Sequence, residues 1–245
     1  MHARPRRSFR AQTLRLLAIV IAVLALAYLS ASWAARSDRQ PHPTLASVWP
    51  AAPQVIAHQG GDDLFPSSTR FAYDAAAAMG ADVLEMDVHL AADGRLVVLH
   101  DDTVDRTTDG TGRVAALRSD QLAALDAGHD WSPDRAGEAF PYRGQGHGVP
   151  RLVEVLDDHP EAPLLIEIKP DGVATAEALC AVLREQGRAA DAVVSSFHQD
   201  ATDAFRAACP EVATGAAPDE VRTFLVLARA RLAGPYRPPF DALQV

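Results

Sequence analysis

ADVLEMDVHL, residues 81–90, is apolar enough to be a β-strand, yet it carries Glu85 and Asp87 two residues apart. Side chains alternate faces along a strand, so Val83, Glu85, Asp87 and His89 share one face, and Met86, Val88 and Leu90 take the other. Two carboxylates side by side repel each other and resist burial. Either this face is open to water on an edge strand, or a cation belongs there.

The flanking pattern decides how such a strand is used. VIAH (55–58) reads as a strand, TRFAYDAAAAMG (69–80) as a helix stopping at Gly80, and RLVVLH as the return of a hairpin turned by ADG. Residues 101–160 are irregular, with short helical pieces in SDQLAALDAG and RLVEVLDDHP. Then PLLIEIKP, AVVSSF and EVATGAA read as strands, alternating with the helices TAEALCAVLREQG, QDATDAFRAAC and DEVRTFLVLARARL, and DALQV begins a further strand. Strands alternating with helices predict parallel βα units, which in a barrel gather their site at the carboxyl ends of the strands.

Those ends are rich in ionisable groups. Strand one ends in His58, the quoted stretch contributes Glu85 and Asp87, the hairpin return contributes His100, and LLIEIKP contributes Glu167 and Lys169 on one face. Taken singly, each has a plain reading: a hydrogen-bonded structural histidine, a Glu167–Lys169 ion pair, a solvated Asp101-Asp102 turn. The plain readings leave unexplained why several strands place such residues at the same end of apolar runs. Three carboxylates form a hard-cation site for Mg2+ or Ca2+. Two histidines suit proton transfer at neutral pH, and a lysine suits an anion. Together they suit cleavage of a phosphate ester.

The chain has 245 residues, 48% of them hydrophobic, enough for one large domain with a sizeable core. A net charge of −9 argues against a sequence-independent nucleic-acid binder, and no nucleic-acid partner is expected. Cys180 and Cys209 lack metal-ligand spacing and read as buried free thiols.

Residues 1–15 are basic, with Arg4, Arg6, Arg7, Arg10 and Arg15, and residues 16–35 carry no charge. Twenty helical residues span about 30 Å, one hydrocarbon core. The arginines predict a cytoplasmic N-terminus, with the rest of the chain outside the cytoplasm. An uncleaved membrane anchor is the favoured reading. A cleaved signal segment, which would make the protein secreted, competes through the small-residue pattern at Ser32-Trp33-Ala34. Residues 36–54 are polar and Pro-rich and read as a linker.

IAHQGG (56–61), DVLEMDVHLAADGRLVVLHDDTVDRTTDGTG (82–112) and LLIEIKP (164–170) resemble the glycerophosphodiester phosphodiesterase family, from Val55 to the chain end. The resemblance implies an α/β fold of the (β/α)8 TIM-barrel type over 55–245, with a small insertion at about 101–160 after the HDD segment. It implies that His58 and His100 are catalytic acid and base, that Glu85, Asp87 and Glu167 bind one divalent ion, Mg2+ or Ca2+, and that Lys169 and Gln59 meet the substrate phosphate. The substrate it implies is a glycerophosphodiester, split into an alcohol and glycerol phosphate. A lysophospholipid is the near alternative.

The chain departs from the family pattern in three places. Gln59 stands where arginine is usual, an HQGG-type variant whose neutral amide is a weaker anion contact than a guanidinium fork. Ser67-Ser68 stands where Glu-Asn is usual. The closing strands of the pattern do not appear before Val245, so a truncated member is expected, with five or six of eight strands and an exposed edge on the first. A non-catalytic truncated remnant is therefore the rival of a different class.

Overall fold

The quoted stretch is an interior strand with partners on both sides. The computed structural model describes residues 7–37, 40, 42–48, 53–133 and 137–243. Arg4 and Arg6 of the expected basic N-terminus, and parts of the expected linker, lie outside these residues.

In chain order the elements are α1 (Arg7–Ser37), α2 (Pro43–Val48), β1 (Ile56–Ala57), α3 (Arg70–Ala78), β2 (Val83–Leu90), β3 (Leu96–Val98), α4 (Ser119–Ala123), α5 (Leu152–Asp158), β4 (Leu164–Ile168), α6 (Val173–Glu185), β5 (Ala192–Ser195), α7 (Gln199–Ala208), β6 (Ala213–Thr214) and α8 (Pro218–Arg229). Two compact units result. One comprises residues 41–219 and 240–245, the other residues 1–40 and 220–239.

In the larger unit the strands run β1-β2-β4-β5-β6, all parallel, with β3 returning antiparallel on β2. β3 lies off the main order, as expected of an accessory hairpin. Ala242 pairs in parallel with Gly215, so DALQV begins to extend the sheet. Among the described residues the sheet does not close. β1 keeps a free edge, beside which Val55, Ile56, Leu64, Phe65 and Met79 line a groove of about 350 Å3.

The sheet carries helices on one face. Leu84, Met86 and Val88 of β2 and Ile166 and Ile168 of β4 pack there against Leu179 and Leu183 of α6 and Phe205 of α7. On the opposite face Val83, Leu165, Val193 and Ala213 form a small apolar floor. One step further along each strand the same face turns polar: Glu85 and Asp87 on β2, Glu167 on β4, Ser195 on β5. Adjacent-strand register sets Asp87 beside Glu167 and Glu167 beside Ser195. Layered inward-facing side chains of this kind belong to barrel interiors.

α3 illustrates how local chemistry sets an element. Thr69 caps it by accepting from Ala72 N at 3.1 Å, the alanine run sustains it, and Gly80, at φ +89°, ends it.

The cysteines correct an expectation. Both are buried, as anticipated, but they are not free: Cys180 on α6 and Cys209 after α7 form a disulfide. α6 and α7 follow adjacent parallel strands and so pack side by side, which brings together thiols 29 residues apart. Separation along the chain contained no hint of this.

Candidate active site

Glu85 is 3% exposed and Asp87 1% exposed, which removes the solvent-facing reading of β2. One carboxylate oxygen from each of Glu85, Asp87 and Glu167 lies within 4.8 Å of the others, close enough for one ion to touch all three. Lys169 Nζ sits 3.0 Å from Glu167 and 3.4 Å from Asp87. Glu85 accepts a hydrogen bond from the main-chain N–H of Gln59 at 2.7 Å. Asp87 Oδ2 is buried with no hydrogen-bond partner among the described residues.

The electrostatics record the strain of this arrangement. Burial raises the pKa of Glu85, against the hydrogen bond from Gln59 and the charge of His58. Burial and the charge of Glu85 push Asp87 up to about 7, against Lys169 and His100. Burial works against the charge on Lys169, yet Asp87 and Glu167 hold its pKa above the ordinary lysine value. A hard-oxygen donor set with an orphaned buried carboxylate oxygen and mutual repulsion fits a divalent cation. That fit answers why two carboxylates share one strand face.

His58 precedes Gln59, whose N–H meets Glu85, and the charges of His58 and His100 work to lower the pKa values of Glu85 and Asp87 respectively. His58 opens a short 3-10 turn straight after β1. Its Nδ1 lies 3.3 Å from Asp62, and its Nε2 lies 3.4 Å from Gln59 Nε2. His100 Nδ1 donates to Asp101 at 2.7 Å, and Arg106 grips Asp101 with two bonds of 2.6 and 2.9 Å. That guanidinium fork holds the Asp101 carboxyl down at about 2. Gln59 adopts φ +50°, is buried, and accepts from Ser68 N through its carbonyl.

Three residues here escaped the sequence reading. Asp101 is no mere solvated turn residue, because it orients His100. Asp62 does the same for His58, and Arg106 braces Asp101. Adjacency in HDD was the available signal for Asp101, whereas Asp62 and Arg106 sit in loops with no period to read. His89, on the face of Glu85 and Asp87, is also buried; burial lowers its pKa, and its Nε2 donates to the carbonyl of His100 at 3.3 Å. A cavity of about 550 Å3 opens beside Asp62 and Arg106, lined also by Pro66, Ser67, Asp130 and Trp131.

Comparison with known proteins gives this geometry a lineage. Residues 58–226 match the model of the glycerophosphoryl diester phosphodiesterase family. YhdW of Bacillus subtilis (strain 168), provisionally named a glycerophosphodiester phosphodiesterase, is 37% identical over 163 residues, covering 65% of this chain and 63% of YhdW. The glycerophosphoryl diester phosphodiesterase domain of a Mycobacterium tuberculosis protein superposes with a TM-score of 0.67 at 26% identity, over 74% of this chain and 65% of that one. An Oleispira antarctica phosphodiesterase, solved in complex with the product sn-glycerol-3-phosphate, superposes with a TM-score of 0.56 at 29% identity, over 69% of this chain and 67% of that one. The chain thus spans a little under two thirds of YhdW and of the mycobacterial domain. With the open parallel sheet, the acidic trio and a match over 58–226, the chain belongs to the glycerophosphoryl diester phosphodiesterase family.

Proposed function

We propose that this chain hydrolyses glycerophosphodiesters to an alcohol and glycerol phosphate, with one divalent ion, Mg2+ or Ca2+, held by Glu85, Asp87 and Glu167. The observation that carries the proposal is the convergence of those three carboxylates beside Lys169. When bound, such an ion withdraws charge from a phosphoryl oxygen.

The remaining work falls to the chain's own side chains. Lys169 offers a point charge to a phosphate oxygen, and the Gln59 amide offers a neutral hydrogen bond. His58 and His100 are assigned as acid and base. The Nδ1 atoms face Asp62 and Asp101, so the Nε2 atoms are the ones available to the reaction. One imidazole takes a proton from the attacking water as the water oxygen bonds to phosphorus, which supplies the oxygen that leaves with glycerol phosphate. The other protonates the alkoxide as the phosphorus–oxygen bond to the alcohol breaks. The cavity beside Asp62 and Arg106 has room for the departing alcohol.

Residues 16–35 are assigned as a membrane anchor, 36–54 as a linker, and 55–245 as the catalytic domain outside the cytoplasm. Two observations support this: an apolar helix at 11–37 of membrane-crossing length, and a disulfide, which persists in oxidising compartments.

The test is release of glycerol phosphate from glycerophosphocholine by the full chain in detergent, with Mg2+ or Ca2+. Turnover abolished by chelator and by Glu85→Gln is expected. Turnover indifferent to both, or none with either ion, overturns the proposal.

A further inference from the structure

The smaller unit joins α1 to a segment far away in sequence. Tyr28 donates its hydroxyl to the carbonyl of Arg231 at 2.7 Å. Gly234 lies so close to Ser32 and Tyr28 that a Cβ there would come within 2.9 Å of the Tyr28 hydroxyl. Along α1, side chains 11–27 are all exposed, and cover begins at Tyr28 and continues at Ser32, Ala34 and Ala35. Tyr28, Ser32 and Ala35 lie on one helix face.

The uncovered stretch is the apolar one. Beyond Arg15 its large apolar side chains run from Leu16 to Leu29, fourteen residues or about 21 Å of helix. With that stretch in the hydrocarbon core, Tyr28, Ser32 and Trp33 fall at its outer boundary, where tyrosine and tryptophan concentrate. The turn at 231–236 is therefore seated at the level of the lipid headgroups.

The helix leading into that turn has a surface suited to the position. On α8, Val221, Phe224 and Leu227 are partly covered, whereas Leu225 is 49% and Val226 66% exposed, and Leu232 beyond the helix is 52% exposed. Helical spacing sets Arg222 and Arg229 between Leu225 and Val226 on the exposed side. Apolar side chains flanking arginines make the mixed face of a helix lying in a bilayer interface.

We infer that residues 220–239 form a second membrane contact, with Leu225, Val226 and Leu232 in the lipid interface and Arg222 and Arg229 at the phosphate level. The inference rests on the proposed anchoring by α1. It also gives the end of α1 a lasting seat, which a discarded signal segment would lack.

The test uses the full chain in vesicles of phosphatidylethanolamine and phosphatidylglycerol. Single cysteines replace Leu225, Val226 or Leu232 and carry a nitroxide. The native cysteines, being paired, stay unlabelled. Leu24→Cys reports on the anchor, and Val173→Cys on an exposed site of the other unit. Labels at 225, 226 and 232 are expected to collide with oxygen in preference to a water-soluble nickel chelate, as the label at 24 does, with the order reversed at 173. Labels at 225, 226 and 232 that meet the nickel chelate while 24 meets oxygen overturn the inference and leave the anchor standing. A label at 24 in water overturns both. Labels shielded from both reagents overturn it in favour of a protein partner.

Discussion

Asp87→Asn should stabilise the metal-free protein while abolishing its response to divalent ions. Asp87 has a pKa of 3.8 in an unfolded chain and about 7 in the fold, where burial and Glu85 oppose its charge. Between those values the unfolded chain binds fewer protons than the folded one, so this residue's contribution to stability falls as the pH rises and levels off above about 7. At about 1.4 kcal/mol per pH unit the full loss is about 4 kcal/mol. Asparagine removes that penalty but takes one of two carboxylates from Lys169, leaving Glu167 at 3.0 Å. The expected net gain at pH 8 in chelator is about 2–4 kcal/mol, or about 5–10 °C in Tm for a domain of this size. The assay is thermal unfolding followed by circular dichroism at pH 5 and pH 8, first in chelator and then with millimolar Mg2+ or Ca2+. The wild type should lose Tm relative to the variant between the two pH values and regain it with metal. A variant no more stable than wild type at pH 8 in chelator, or equally stabilised by metal, refutes the reasoning.

Three further outcomes follow from the same geometry. His58→Ala and His100→Ala should each lower kcat by about 10²-fold or more in the glycerophosphocholine assay, and near wild-type rates in both would remove their assignment as acid and base. Arg106→Lys keeps a positive charge but loses the two-bond grip on Asp101, so kcat should fall about tenfold with KM little changed; an altered KM alone would place Arg106 in substrate binding instead. Reducing the Cys180–Cys209 disulfide should cost about 2–4 kcal/mol, read as a lower Tm under reductant, and an unchanged Tm would mean that the bond contributes nothing to stability.

What the sequence disclosed and what it hid divide along physical lines. Strands with period-two patterning were legible, and so was the face they shared, because Glu85, Asp87, Glu167 and Lys169 stand in apolar runs whose alternation has one interpretation. The antiparallel return of β3 was legible from its turn residues. The supports around the imidazoles were not: Asp62, beside His58, and Arg106, which braces Asp101, come from loops, and their contacts depend on three-dimensional closure that no local pattern encodes. The disulfide was missed because its two cysteines meet only once β4 and β5 are paired. The contact between Tyr28 and Arg231 spans 203 residues and leaves no periodic trace at either end.

The turn at Gln59 divides labour within one residue. Its main-chain N–H serves Glu85, and its side chain points toward His58 instead. A main-chain donor is indifferent to which side chain is attached, so exchange at this position leaves the support of the acidic centre in place. The left-handed φ of +50° narrows the choice to residues that tolerate it, and proline, which lacks the N–H, is barred. One base change converts a glutamine codon to an arginine codon. If Gln59 meets the phosphate as proposed, the position acts as an evolutionary dial, trading a neutral for a charged contact by single mutations while the three acidic residues keep their geometry.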